Sequence, residues 1–113
     1  MGVREMICIL ISSTEPLIKI DRIVVAAVQR ARTEKTPYIN IIFLSSSTTD
    51  VFKYRDIFTK YIDIGVRVFI ENSIEKLREI LSENCKDIFL PSSDENLRKN
   101  IIDIEMNIDI IEV

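Results

Sequence analysis

Met6 to Ile11 is apolar at every position, so both faces of that segment are apolar, as in a strand at the centre of a parallel sheet. The polar run Ser12, Ser13, Thr14 and Glu15 then leads to Pro16, a helix start with Ser/Thr caps and an early proline. Ile20, Ile23, Val24, Ala27, Val28 and Ala31 recur at three- and four-residue steps and predict a helix with one apolar stripe. Arg30, Arg32 and Lys35 close it as a solvated, basic helix end, where positive charge suits the dipole, and Thr36 and Pro37 terminate it. Tyr38 to Leu44 is a second nearly continuous apolar run. The polar stretch from Ser45 to Asp50 precedes a helical spacing of Val51, Tyr54, Phe58, Tyr61 and Ile62, and Gly65 stands where a left-handed C-terminal cap is expected.

Val66 to Ile70 reads as a third strand, with Arg67 marking it as more exposed than the first two. Ser73 caps a helix carrying Ile74, Leu77, Ile80 and Leu81. Asp87 to Leu90 is a short fourth strand stopped by Pro91. Ser92 with Glu95 three residues later forms a capping-box pattern ahead of Leu97, Ile101, Ile102 and Met106. Ile108 to Val113 is the fifth strand. Strands alternating with helices predict one α/β domain over residues 1–113, a three-layer doubly wound, Rossmann-like fold with a five-stranded parallel sheet. Placing the most apolar strands centrally orders that sheet 3-2-1-4-5, with the switch point between the first and fourth strands.

Doubly wound sheets bind ligands at that point, outside the carboxyl ends of the strands. Ser12, Ser13 and Thr14 follow the first strand, Ser45 the second, and Ser92 and Ser93 the fourth. This hydroxyl-rich rim, beside helix N-termini, suits an anion or a ribose. Helix capping accounts for the same residues without any ligand, because every cluster precedes a predicted helix.

Composition narrows the chemistry. The chain has 113 residues, 15 Lys+Arg against 18 Asp+Glu, two glycines, two cysteines and no histidine. A net charge of -3 argues against nucleic acid as a partner, which wants a basic face. Without histidine, Ser-His-Asp catalysis and Cys/His zinc sites cannot be assembled, and no base is at hand to activate a serine. With only Gly2 and Gly65, neither a Walker loop nor a dinucleotide fingerprint can be written. Cys8 and Cys85 read as two buried or half-buried free thiols, which fit a reducing cytoplasm. The first apolar run is too short for a secretory signal, and no stretch approaches the ~20 apolar residues of a membrane span. Abundant isoleucine fits either an AT-rich genome or selection for thermostability.

Several segments together resemble the universal stress protein family, part of the adenine-nucleotide hydrolase-like group. Ile9 to Pro16 looks like that family's opening strand and its Val-Asp-Gly-Ser-Glu turn. Val24 to Val28 resembles its first helix, and Gly65 to Val68 the start of its third strand. Asp87 to Pro91 resembles Asp-Leu-Ile-Val-Met-Gly, and Leu97 to Asn100 with Ile108 to Val113 the closing helix and strand. Ser12 stands where the family places an acid near the nucleotide base. Pro91 and Asp94 stand where the first two glycines of its ATP loop lie. The resemblance therefore implies a shortened member without family-type ATP binding and with no cofactor. It also implies a homodimer joined through the last strand, by way of Ile108, Ile110, Ile111 and Val113.

These readings converge on a non-enzymatic, cytoplasmic protein that binds a protein partner or a small ligand, with no membrane association. One alternative is a nucleotide or small-anion binder, or an enzyme, using the Ser-rich crevice. A second is a receiver-like signalling module that has lost its phosphorylation site.

Overall fold

A computed structural model describes residues 6–12, 16–36, 38–44, 65–92, 95–101 and 108–113. Five parallel strands form one sheet in the order β3-β2-β1-β4-β5. They are β1 (Met6–Ser12), β2 (Tyr38–Leu44), β3 (Gly65–Glu71), β4 (Cys85–Leu90) and β5 (Asp109–Glu112). The described helices are α1 (Leu17–Thr33), α2 (Ile74–Asn84) and α3 (Glu95–Ile101). The architecture is the α/β, Rossmann-like doubly wound sheet that the alternation predicts. The predicted helix at 51–62 lies outside the described residues, as do Ile102 and Met106.

Side chains alternate across the sheet and build a core on each face. On one face Ile7, Ile9 and Ile11 of β1, Ile39, Ile41 and Phe43 of β2, and Phe89 of β4 pack under α1. All six residues of the predicted α1 stripe are buried there. On the other face Cys8, Leu10, Ile42, Ile88 and Leu90 meet Leu77 and Leu81 of α2 and Leu97 and Ile101 of α3. Each large aliphatic side chain removed from water contributes roughly 1.5–3 kcal/mol, which is why the strands buried on both faces lie centrally. At the edge, β3 leaves Val68 and Ile70 exposed and sets Arg67 over the Phe69 ring at 5.5 Å.

Local signals differ from expectation in three places. Pro16, not a serine or threonine, is the N-cap of α1; its carbonyl accepts from Lys19 N at 3.1 Å and Ile20 N at 3.2 Å. Gly65 is not a left-handed cap, because it opens β3 in register with Tyr38, and no described glycine has positive φ. Lys35 adopts that conformation instead, at φ 57°, ending α1. Thr36 N donates to Ala31 O at 2.9 Å and Lys35 N to Arg32 O at 3.3 Å, the double closure that satisfies the last carbonyls of a helix. The Ser92–Glu95 capping box lies partly outside the described residues, because Ser93 and Asp94 separate Ser92 from the first described residue of α3.

The third difference is covalent. Cys8 and Cys85 are not free thiols but a disulfide across β1 and β4, with Cα atoms 5.8 Å apart. Their 77-residue separation in sequence becomes irrelevant once the two strands are neighbours. The thiol argument for a reducing cytoplasm falls with that pairing.

Candidate functional site

The carboxyl end of the sheet holds part of the predicted crevice. Ser12 closes β1, half-buried and level with Leu44 of β2. Ser92 lies just beyond β4, exposed, after buried Pro91. Because β1 and β4 are adjacent, the two serines flank the switch point as predicted. Ser13, Thr14, Ser45 and Ser93 lie outside the described residues.

The Ser92 N–H is already engaged, donating to Val113 O at 3.1 Å, while Val113 N donates to Leu90 O at 3.0 Å. These bonds extend the β4–β5 ladder past the last strand residues, so the Ser92 backbone holds the end of the chain rather than facing the crevice. Leu17 and Ile18, 52% and 67% exposed, open α1 at this same end.

Of the predicted interface residues, Ile108 is buried and Ile110 half-buried against the α2/α3 face. Ile111 and Val113 are half-buried against the α1 face. Their side chains thus serve the chain's own two cores. What β5 offers at the sheet edge is backbone. Val113 bonds inward to β4, so by alternation the N–H groups of Ile110 and Glu112 point outward. Arg98 of α3 lies 3.7 Å from Glu112, at the same margin.

A second, charged cluster sits where α1 ends beside the start of β4. Arg30 Nη1 lies 3.4 Å from Glu34 Oε2 and 3.4 Å from Asp87 Oδ2. Lys86 pairs with the other Glu34 oxygen. Burial drives the Asp87 carboxyl above its ordinary range, opposed chiefly by the Arg30 charge. The hydrogen bond from Lys86 holds Glu34 below its usual value, and the same contact raises Lys86. Beside the cluster, Ala26, Gln29, Arg30, Thr33 and Phe89 line an open groove of about 300 Å³.

Sequence reading missed this arrangement. It placed Arg30 on a solvated helix end, whereas the side chain turns to the sheet. One signal was present: Asp87 is an acid directly before the apolar run Ile88 to Leu90, and a buried acid needs a partner.

A third feature lies between the strands. Asn40 of β2 is buried level with Cys8, and its Nδ2 donates to Cys8 Sγ at 3.8 Å. Its Oδ1 is buried without a partner among the described residues.

Among the described residues, no group of three or more acids, cysteines or histidines is placed to hold a metal, and no helix is long and apolar enough to cross a membrane. Comparison with protein-family models, curated proteins and solved structures finds no match to this chain.

Proposed function

We propose that this chain is a non-enzymatic, universal-stress-protein-like binding domain that acts as a homodimer joined through β5. The observation that carries the reading is the outer edge of β5, whose outward Ile110 and Glu112 N–H groups have no strand beside them among the described residues. An unpaired edge flanked by apolar side chains favours addition of another strand, and a second copy of β5 supplies one by antiparallel pairing. Asp109 and Glu112 set the register, because directly opposed acids repel.

Absence of histidine supports a non-catalytic role, since neither Ser12 nor Ser92 has an imidazole to activate it. Pro91 and Asp94, where the resembled family has loop glycines, support a domain without family-type ATP binding: a Cβ keeps backbone N–H groups from close approach to phosphate. A cytoplasmic setting fits a bonded Cys8–Cys85 pair if the source is a hyperthermophile, whose cytosolic proteins carry disulfides.

Amide exchange measured as a function of protein concentration tests the reading. The Ile110 and Glu112 amides are expected to gain protection as concentration rises, and concentration-independent exchange at both contradicts the dimer. The flanking of the switch point by Ser12 and Ser92 favours a second reading, a small-anion site there. Calorimetric binding of ATP or AMP that Ser12→Ala or Ser92→Ala abolishes would establish it in place of the first.

A further inference from the structure

Lys86 and Asp87 are consecutive in β4, yet both reach the end of α1. Ile88 and Leu90 face the α2/α3 core and Phe89 faces α1. Continued alternation would put Lys86 in the α2/α3 core and Cys85 under α1. The structure has the reverse. Pairing runs Met6 with Cys85 but Ile7 with Asp87, so Lys86 is an extra residue, a β-bulge. That one bulge delivers Cys85 to the face of Cys8 and delivers Lys86 to Glu34.

We infer that the Cys8–Cys85 bond, the Lys86 bulge and Asn40 form a thiol–disulfide device that sets how firmly the start of β4 is tied to the end of α1. Two observations carry this. First, there is no slack: α2 ends at Asn84 and β4 begins at Cys85, so Cys85 is directly followed by Lys86 and Asp87, the residues that grip Glu34 and Arg30. Once the bond is cut, Cys85 is held by its pairing with Met6, and the bulge can relax.

Second, Asn40 suits both redox states. Its Nδ2 donates to the bonded sulfur, and its Oδ1, without a partner among the described residues, is an acceptor that a thiol S–H, a weak donor, can use. A core built only for the disulfide has no use for that acceptor.

The reaction is exchange with a dithiol reductant. Its thiolate attacks one protein sulfur, the S–S bond breaks, and the departing sulfur takes up a proton. The second reductant thiol then displaces the mixed disulfide, leaving two protein thiols and a cyclic oxidised reductant, with two electrons and two protons transferred. Both cysteines are fully buried, so exchange waits on opening of the β1–β4 seam, and the device is set slowly.

The test compares the oxidised chain with the chain reduced by dithiothreitol in urea and refolded in dithiothreitol, alongside C8A/C85A. Reduction is expected to speed amide exchange at Lys86 and Asp87 about tenfold more than at Ile41 to Phe43, which lie in the sheet centre. Glu34→Gln is expected to weaken the oxidised form and to have a smaller effect on the reduced one. Equal acceleration at both places, or an equal Glu34→Gln effect in both states, overturns the inference. So does a reduced chain that fails to fold together with an unfolded C8A/C85A, because no folded reduced state then exists for the bond to loosen. Asn40→Leu is expected to move the exchange equilibrium with dithiothreitol toward the disulfide, and an unchanged equilibrium removes Asn40 from the device.

Discussion

Arg30 and Asp87 lie 57 positions apart and meet at 3.4 Å, joining the last turn of α1 to the third residue of β4. The Asp87 side chain is almost wholly buried, so its charge depends on that guanidinium. Arg30→Ala should destabilise the fold by about 1–3 kcal/mol, the penalty for leaving a buried carboxylate without its partner. Urea unfolding at neutral pH measures it.

Asp87→Asn should behave differently. Burial raises the folded-state pKa of Asp87 above the unfolded value, so the ionised form is the costly one. Its contribution therefore improves as pH falls through the raised value and worsens as pH climbs past it. Asparagine keeps the shape and removes the charge. Stability near neutral pH should stay the same or rise, and the part of the acid pH profile due to Asp87 should vanish.

Glu34 and Lys86 run the other way. Glu34 is lowered from 4.5, so its stabilisation is present above that value and is lost as pH falls through the lowered one. Lys86 is raised from 10.5, so its share is present below that value and is lost as pH rises through the raised one. The pair thus supports the fold between those limits. Both side chains are partly exposed, so Glu34→Gln should cost under about 1 kcal/mol at pH 7 and flatten the acid limb of the profile.

Cutting the disulfide should cost far more. A cross-link closing a loop of this length restricts the unfolded chain by about 4.5 kcal/mol on the chain-entropy account. Melting with and without dithiothreitol, after reduction in urea, should show a fall of about 15 °C or more. Native oxidised protein should resist the same reductant, since both cysteines are fully buried.

The N-cap of α2 offers a local check. Ser73 Oγ accepts from Lys76 N at 3.4 Å. Ser73→Ala should lower stability by about 1 kcal/mol, whereas Ser73→Asp should retain most of it. Thermal melts of the two variants distinguish them.

Much of this architecture was legible in residue order. The unbroken apolar run at 6–11 and the nearly continuous one at 38–44 read as strands buried on both faces, and Arg67 demotes β3 to an edge; the order of the sheet follows. Ser73 was legible as a cap because a single serine precedes a clean stripe. The start of α1 was not, since Ser12 to Pro16 offers several caps and only backbone geometry selects Pro16. Nor was the cysteine pairing. It needs β1 beside β4 and also a bulge at Lys86, and a one-residue register break leaves no mark in composition or period. Arg30 was misplaced because a basic residue in a last turn satisfies the helix dipole whether or not it reaches a buried acid. Of the crevice, Ser12 and Ser92 fall where the topology predicts, but the backbone of Ser92 serves the ladder to β5.

Mass in solution bears most directly on the proposed dimer. Light scattering on the eluting chain should give about twice 13.1 kDa. Glu112→Pro, which removes an outward N–H without touching the inward ladder, should return the mass to that of one chain while leaving circular dichroism unchanged. A wild-type chain that elutes at a single-chain mass, and stays there as its concentration is raised, would contradict the account.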